Sequence, residues 1–166
     1  MPYALKRLPK ETLEAAIVKA AHYRDLNQPE EAESICRDIL DVDSAHQTAW
    51  KLLGLAITDR FGTGHAGLLE EAVEAFERLE DPYERVYHIG VAWERAAKAH
   101  LERSEAHSAV TAFEHALRLF EKAEGMRPAS PDPVLRWNRC VRILSSHPSL
   151  RAAMLAPRDD QVRLGD

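Results

Sequence analysis

The chain has 166 residues, 45% of them hydrophobic and 30% charged, which is enough apolar surface for one core without disulfide or metal staples. A net charge of −5 excludes wholesale nucleic-acid binding. Seven glycines beside abundant Ala, Glu, Leu and Arg exclude a β-sandwich or barrel.

In chain order, residues 10–26 carry Leu13, Ala16, Ile17, Ala20, Ala21 and Tyr23 at spacings of three and four, an apolar stripe on a first helix. Asn27-Gln28-Pro29 breaks it. Pro29 suits the first position of a second helix, where Glu30, Glu31 and Glu33 favour the positive end of the dipole and Ala32, Ile35, Cys36, Ile39 and Leu40 form the buried stripe. Ser44 and Gln47 have capping-box spacing for a third helix reaching about residue 60. Phe61-Gly62-Thr63-Gly64-His65-Ala66-Gly67 is a glycine-rich loop, and a fourth helix is expected over 68–80.

Asp81-Pro82-Tyr83-Glu84 joins an N-cap, a first-turn proline and a capping Glu, and starts a long fifth helix ending near Ser104. The sixth covers about 105–124 and stops at Gly125. Asp132-Pro133 caps a seventh reaching Ser146, which His147-Pro148 terminates. Seven helices and no strand predict an all-α protein, with an extension at 1–9, a helical domain at 10–146 and a tail at 147–166.

Fixed offsets reveal a repeat. Trp50-x-x-Leu53-Gly54 recurs as Trp93-x-x-Ala96-Ala97 and Trp137-x-x-Cys140-Val141, each early in a helix. In the partner helices, Ala32, Cys36 and Ile39 share spacings of four and three with Ala72, Phe76 and Leu79, and with Ala109, Phe113 and Ala116. On these residues the chain resembles the tetratricopeptide repeat family, whose signature is W-x2-L-G-x2-Y, then A-x3-F, then P. Repeats fall at about 13–46, 47–87 and 90–123, with the 132–146 helix as a cap. Ala16 stands in the Trp position of the first repeat and His100 in the Tyr position of the third.

The resemblance implies a right-handed α-solenoid of antiparallel helix pairs, with Trp50 and Trp93 buried between helices. It also implies that the first helix of each pair lines a concave groove, made here by Lys51 and Leu55, then Glu94, Lys98 and Leu101, then Asn138 and Arg142. Lys51, Lys98 and Arg142 would form a cationic track. The family's full clamp for acidic chaperone tails is absent, because Ile17 and Ala21 occupy the first helix.

Little points to catalysis. Cys36 and Cys140 form no CxxC pair and fall on apolar stripes, where a thiolate is disfavoured. His100, His107 and His115 are divided between two helices, which speaks against a metal site, and the glycine-rich loop lacks the strand and GK[ST] ending of a phosphate loop. No cofactor, metal or enzymatic activity is expected. The N-terminus lacks the apolar core of a secretory signal and no apolar run could span a membrane, so a cytoplasmic protein is expected.

Charge is unevenly spread: residues 126–166 hold seven Arg and four Asp, whereas 1–125 are strongly acidic. The expected function is therefore an adaptor that binds a peptide or helix of a partner protein, acidic where it meets the cations, in the concave groove. Should the groove fail, the basic surface around Arg136, Arg139 and Arg151 is next in line. The alternative is a self-associating scaffold, a homodimer joined through Val134, Trp137, Leu150, Met154 and Leu155.

Overall fold

The computed structural model describes residues 3–156 and is entirely helical there, with no strand. Eight α-helices follow one another: α1 (Leu13–Asp25), α2 (Pro29–Val42), α3 (Gln47–Asp59), α4 (Leu68–Glu77), α5 (Pro82–Glu102), α6 (Ala106–Met126), α7 (Asp132–Ser146) and α8 (Pro148–Leu155). Short 3-10 turns at Lys10–Thr12 and Phe61–Thr63 precede α1 and follow α3. No helix among the described residues is long and apolar enough to cross a membrane.

Proline sets most of the starts. Pro29, Pro82, Pro133 and Pro148 each lie in a first turn, where the missing N–H is no loss. At α5 the expected cap forms, with Asp81 Oδ1 accepting from the Tyr83 amide at 2.9 Å. At α3 it does not: His46 is the N-cap, and its Nδ1 accepts from the Ala49 amide at 3.2 Å. Gln47 instead reaches across to the turn after α4, accepting from the Glu80 amide at 2.8 Å.

Three further boundaries differ from expectation. Helix α4 ends at Glu77, short of residue 80. Helix α6 runs through Gly125 to Met126, because that glycine keeps a negative φ and the helix continues past it. The tail contains α8: His147-Pro148 ends α7 and at once begins another helix, so the described residues hold eight helices where seven were expected.

The turns ending α1 and α5 are alike. Asn27 and Ser104 both take left-handed backbone, with φ of 58° and 63°. In each, the next amide reaches back to the last turn of the helix, Gln28 to the Tyr23 carbonyl and Glu105 to the His100 carbonyl, both at 2.9 Å. The α1–α2 and α5–α6 hairpins thus repeat one local structure.

Each helix packs on the next, most extensively α5 on α6, and α1 also meets α3, α3 meets α5 and α6 meets α8. One core cluster gathers Leu53, Ile57, Phe61, Phe76 and Ala92 from α3 to α5. Another gathers Val91, Phe113, Phe120, Cys140 and Leu150 from α5 to α8, and Leu55 packs against both. Phe61, the first residue of the glycine-rich loop, is 8% exposed and belongs to the first cluster. Trp50 and Trp93 are only half-buried: Trp50 Nε1 donates to the Ser44 carbonyl at 2.9 Å, and the Trp93 ring stacks on His115 at 4.4 Å. Both still pack against the core clusters, but the fully enclosed aromatics are Phe76, Phe113 and Phe120.

Candidate functional site

Helix α7 carries two faces. Pro133, Cys140 and Leu144 are buried, while Arg136, Arg139 and Arg142 follow one another at intervals of three along the adjoining face. Together with Tyr87 of α5 and with Leu135, Ile143, Ser146 and one carboxylate, Asp132 at the start of α7, these arginines line an open cleft of about 760 Å³.

Glu94 of α5 anchors this arrangement, with a side chain that is 0% exposed. Its Oε2 accepts from Arg136 Nη1 at 3.0 Å, and its Oε1 is hydrogen-bonded by Lys98 Nζ and lies 3.6 Å from Arg139 Nε. A lone buried carboxylate would be costly, so it recruits cations from its own helix and from α7. Burial works against the charge on Arg136, but its hydrogen bond to the Tyr87 hydroxyl and the charge of Glu94 prevail and hold the guanidinium above its ordinary value. Arg139 stays 64% exposed, and Arg142 makes no ion pair among the described residues.

The residues expected to line the groove are brought together only in part. Glu94 and Lys98 touch, and Glu94 is bonded to Arg136, which lines the same cleft as Arg142. Lys51 lies apart, in a smaller hollow, paired with Glu84 at 3.4 Å. Leu55 and Leu101 are half-buried against the core clusters, and Asn138 is exposed outside the cleft lining. Arg136 and Arg139, assigned by the sequence to a separate basic surface, share the cleft with Arg142, while Arg151 is exposed on α8. The interval of three was visible in the sequence, but which side of α7 faces α5 was not.

Other candidate groups are engaged elsewhere. Burial pushes the Cys36 thiol up to about 12, helped by Glu33, and the Cys140 thiol up to about 12, helped by Glu94, so both are protonated at neutral pH. His100 pairs with Glu105 at 2.5 Å, and the described residues hold no cluster of three or more His, Cys, Asp or Glu arranged for a metal. Of the residues offered for a homodimer contact, Leu150 is fully buried within the chain and Trp137 half-buried, while Val134, Met154 and Leu155 are exposed.

No family model matches the chain, and no curated protein is significantly similar to it.

Proposed function

We propose that the chain is a helical-repeat interaction module of the tetratricopeptide type, and that an acidic segment of a partner protein docks in the cleft between α5 and α7. The observation that carries this reading is the row of Arg136, Arg139 and Arg142 along one cleft of a chain that is acidic overall. A cationic strip on an acidic molecule orients an oppositely charged partner and speeds its encounter. The contacts of α1 with α3 and α3 with α5, and the shared turn after α1 and α5, support a solenoid in which first helices stack side by side. Guanidinium forks match carboxylates two hydrogen bonds at a time, and Leu135 and Ile143 offer apolar contact beside them.

A titration of a fluorescent glutamate-rich peptide tests this. Binding that weakens steeply with salt and is lost when Arg139 and Arg142 are changed together to Glu supports the reading; no binding, or binding indifferent to the double change, refutes it. The self-association alternative draws on the exposed Val134, Met154 and Leu155, and a dimer by sedimentation at micromolar concentration would favour it.

A further inference from the structure

The cleft's charge is already partly spent inside the molecule. Glu94 is hydrogen-bonded by Lys98 and Arg136 and stands 3.6 Å from Arg139 without a hydrogen bond to it, whereas Arg142 has no acidic partner among the described residues. We infer that Glu94 is a built-in competitor for the cleft's cations, so that the cleft selects ligands presenting two carboxylates together and discriminates against single ones. The inference rests on the cleft being the docking site proposed above.

An incoming carboxylate at Arg139 must share that guanidinium with Glu94, and one at Arg142 alone gains a single exposed ion pair, which is weak in water. Two carboxylates held at the spacing of Arg139 and Arg142 engage both at once. Residues three apart on a helix have Cβ atoms about 5–6 Å apart, so an acidic helix with glutamates three residues apart matches the arginine pair. Leu135, 61% exposed and four residues before Arg139, provides apolar contact for a neighbouring leucine on such a helix.

The same surroundings disfavour a nucleic acid. Single strands are held by bases stacked on free aromatic faces. Tyr87, the aromatic ring at the cleft, is stacked on Tyr83 at 5.9 Å, edge-on to His88 at 5.2 Å, and its hydroxyl accepts from Arg136.

The test is an anisotropy titration with three labelled probes: a helical peptide with two glutamates three residues apart beside a leucine, the same peptide with one glutamate changed to glutamine, and a single-stranded oligonucleotide. Wild-type protein should favour the two-glutamate peptide by about two- to fivefold, the worth of one more exposed ion pair, and Arg142→Gln should erase that preference. Glu94→Gln, which frees Arg136 and Arg139, should tighten the one-glutamate peptide several-fold and narrow the gap between the peptides. Equal wild-type affinity for the two peptides overturns the inference, as does a folded Glu94→Gln that binds no tighter. If Glu94→Gln does not fold, the comparison of the two peptides on wild type and Arg142→Gln decides. Failure of wild type to bind either peptide refutes the docking site itself. An oligonucleotide binding as tightly as the two-glutamate peptide overturns the ligand class.

Discussion

Gly54 of α3 lies directly against the ring of Phe76 of α4: a methyl group at position 54 would stand 2.4 Å from Phe76 Cε1 and under 3 Å from two further ring atoms. The ring is fully enclosed and has nowhere to retreat. Gly54→Ala is therefore expected to destabilise the protein by about 1–3 kcal/mol, as overpacking does, although alanine is the better helix former. Gly125, also helical, has nothing within 4 Å of its would-be Cβ, so Gly125→Ala should stabilise by about 0.5–1 kcal/mol. Chemical denaturation of the two variants should give opposite signs.

Aromatic truncations should rank by enclosure. Phe76→Ala and Phe113→Ala, at 0% exposure, should each cost about 3–5 kcal/mol, and the half-buried Trp50→Ala and Trp93→Ala less than either. Urea midpoints at constant slope check the order.

Lys51 and Lys98 should behave differently when made neutral. Lys51→Met removes a half-buried, solvent-reached pair with Glu84 and should change stability by no more than about 1 kcal/mol. Lys98→Met takes a partner from the buried Glu94 and should cost more, while Lys98→Glu, which adds a second carboxylate four residues away, should approach the roughly 3–5 kcal/mol of a broken buried pair. A charge reversal at Lys98 is thus no clean probe of ligand binding, and Arg139 and Arg142 are the better positions.

His88 makes stability depend on pH. Burial between Phe76 and Tyr87 lowers its pKa from the ordinary 6.5, against the pull of the Glu84 carbonyl and carboxylate. The unfolded chain then takes up a proton at a higher pH than the folded one, so the stability present above 6.5 falls as the pH drops through that value toward the lower folded one. The difference between wild type and His88→Gln in thermal unfolding should shift in favour of the variant from pH 8 to pH 5.

Asp81 acts in a more acidic window. Its hydrogen bond from Arg127, then that from the Tyr83 amide, holds its carboxyl below the ordinary 3.8. The stabilisation is complete above 3.8 and lost as the pH falls through the folded value, so Asp81→Ala should lower the melting temperature at neutral pH and matter less in strong acid.

Signals that act within one turn were readable in the sequence. Pro29, Pro82 and Pro133 opened helices where expected, and Asp81 capped α5, because a fixed φ and a short side-chain acceptor need no distant partner. Pro148 carries the same signal as those three, but His147-Pro148 follows a complete helix directly, so the pair reads equally well as a stop and α8 does not stand out in the sequence. The spacing of Ser44 and Gln47 fitted a cap that His46 takes over, since Gln47 is drawn away by the turn after α4. The burial of Glu94 was unreadable for another reason: a glutamate on a helix looks solvated until another helix supplies Arg136 and Arg139, the first of them 42 residues further along the chain.

The long α5–α6 hairpin has a kinetic consequence. Its two helices of 21 residues each are joined by a short turn and share the most extensive interface in the chain, so it can form with little loop-closure entropy while other contacts are still absent. Side chains of α5 enter both large core clusters, Ala92 and Ala96 on one side and Val91 and Ala97 on the other, so the hairpin can template the folding of what flanks it in either direction. Hydrogen exchange should then be slowest in α5 and α6 and quicken toward α1 and α8, the chain opening from its ends inward before it unfolds as a whole.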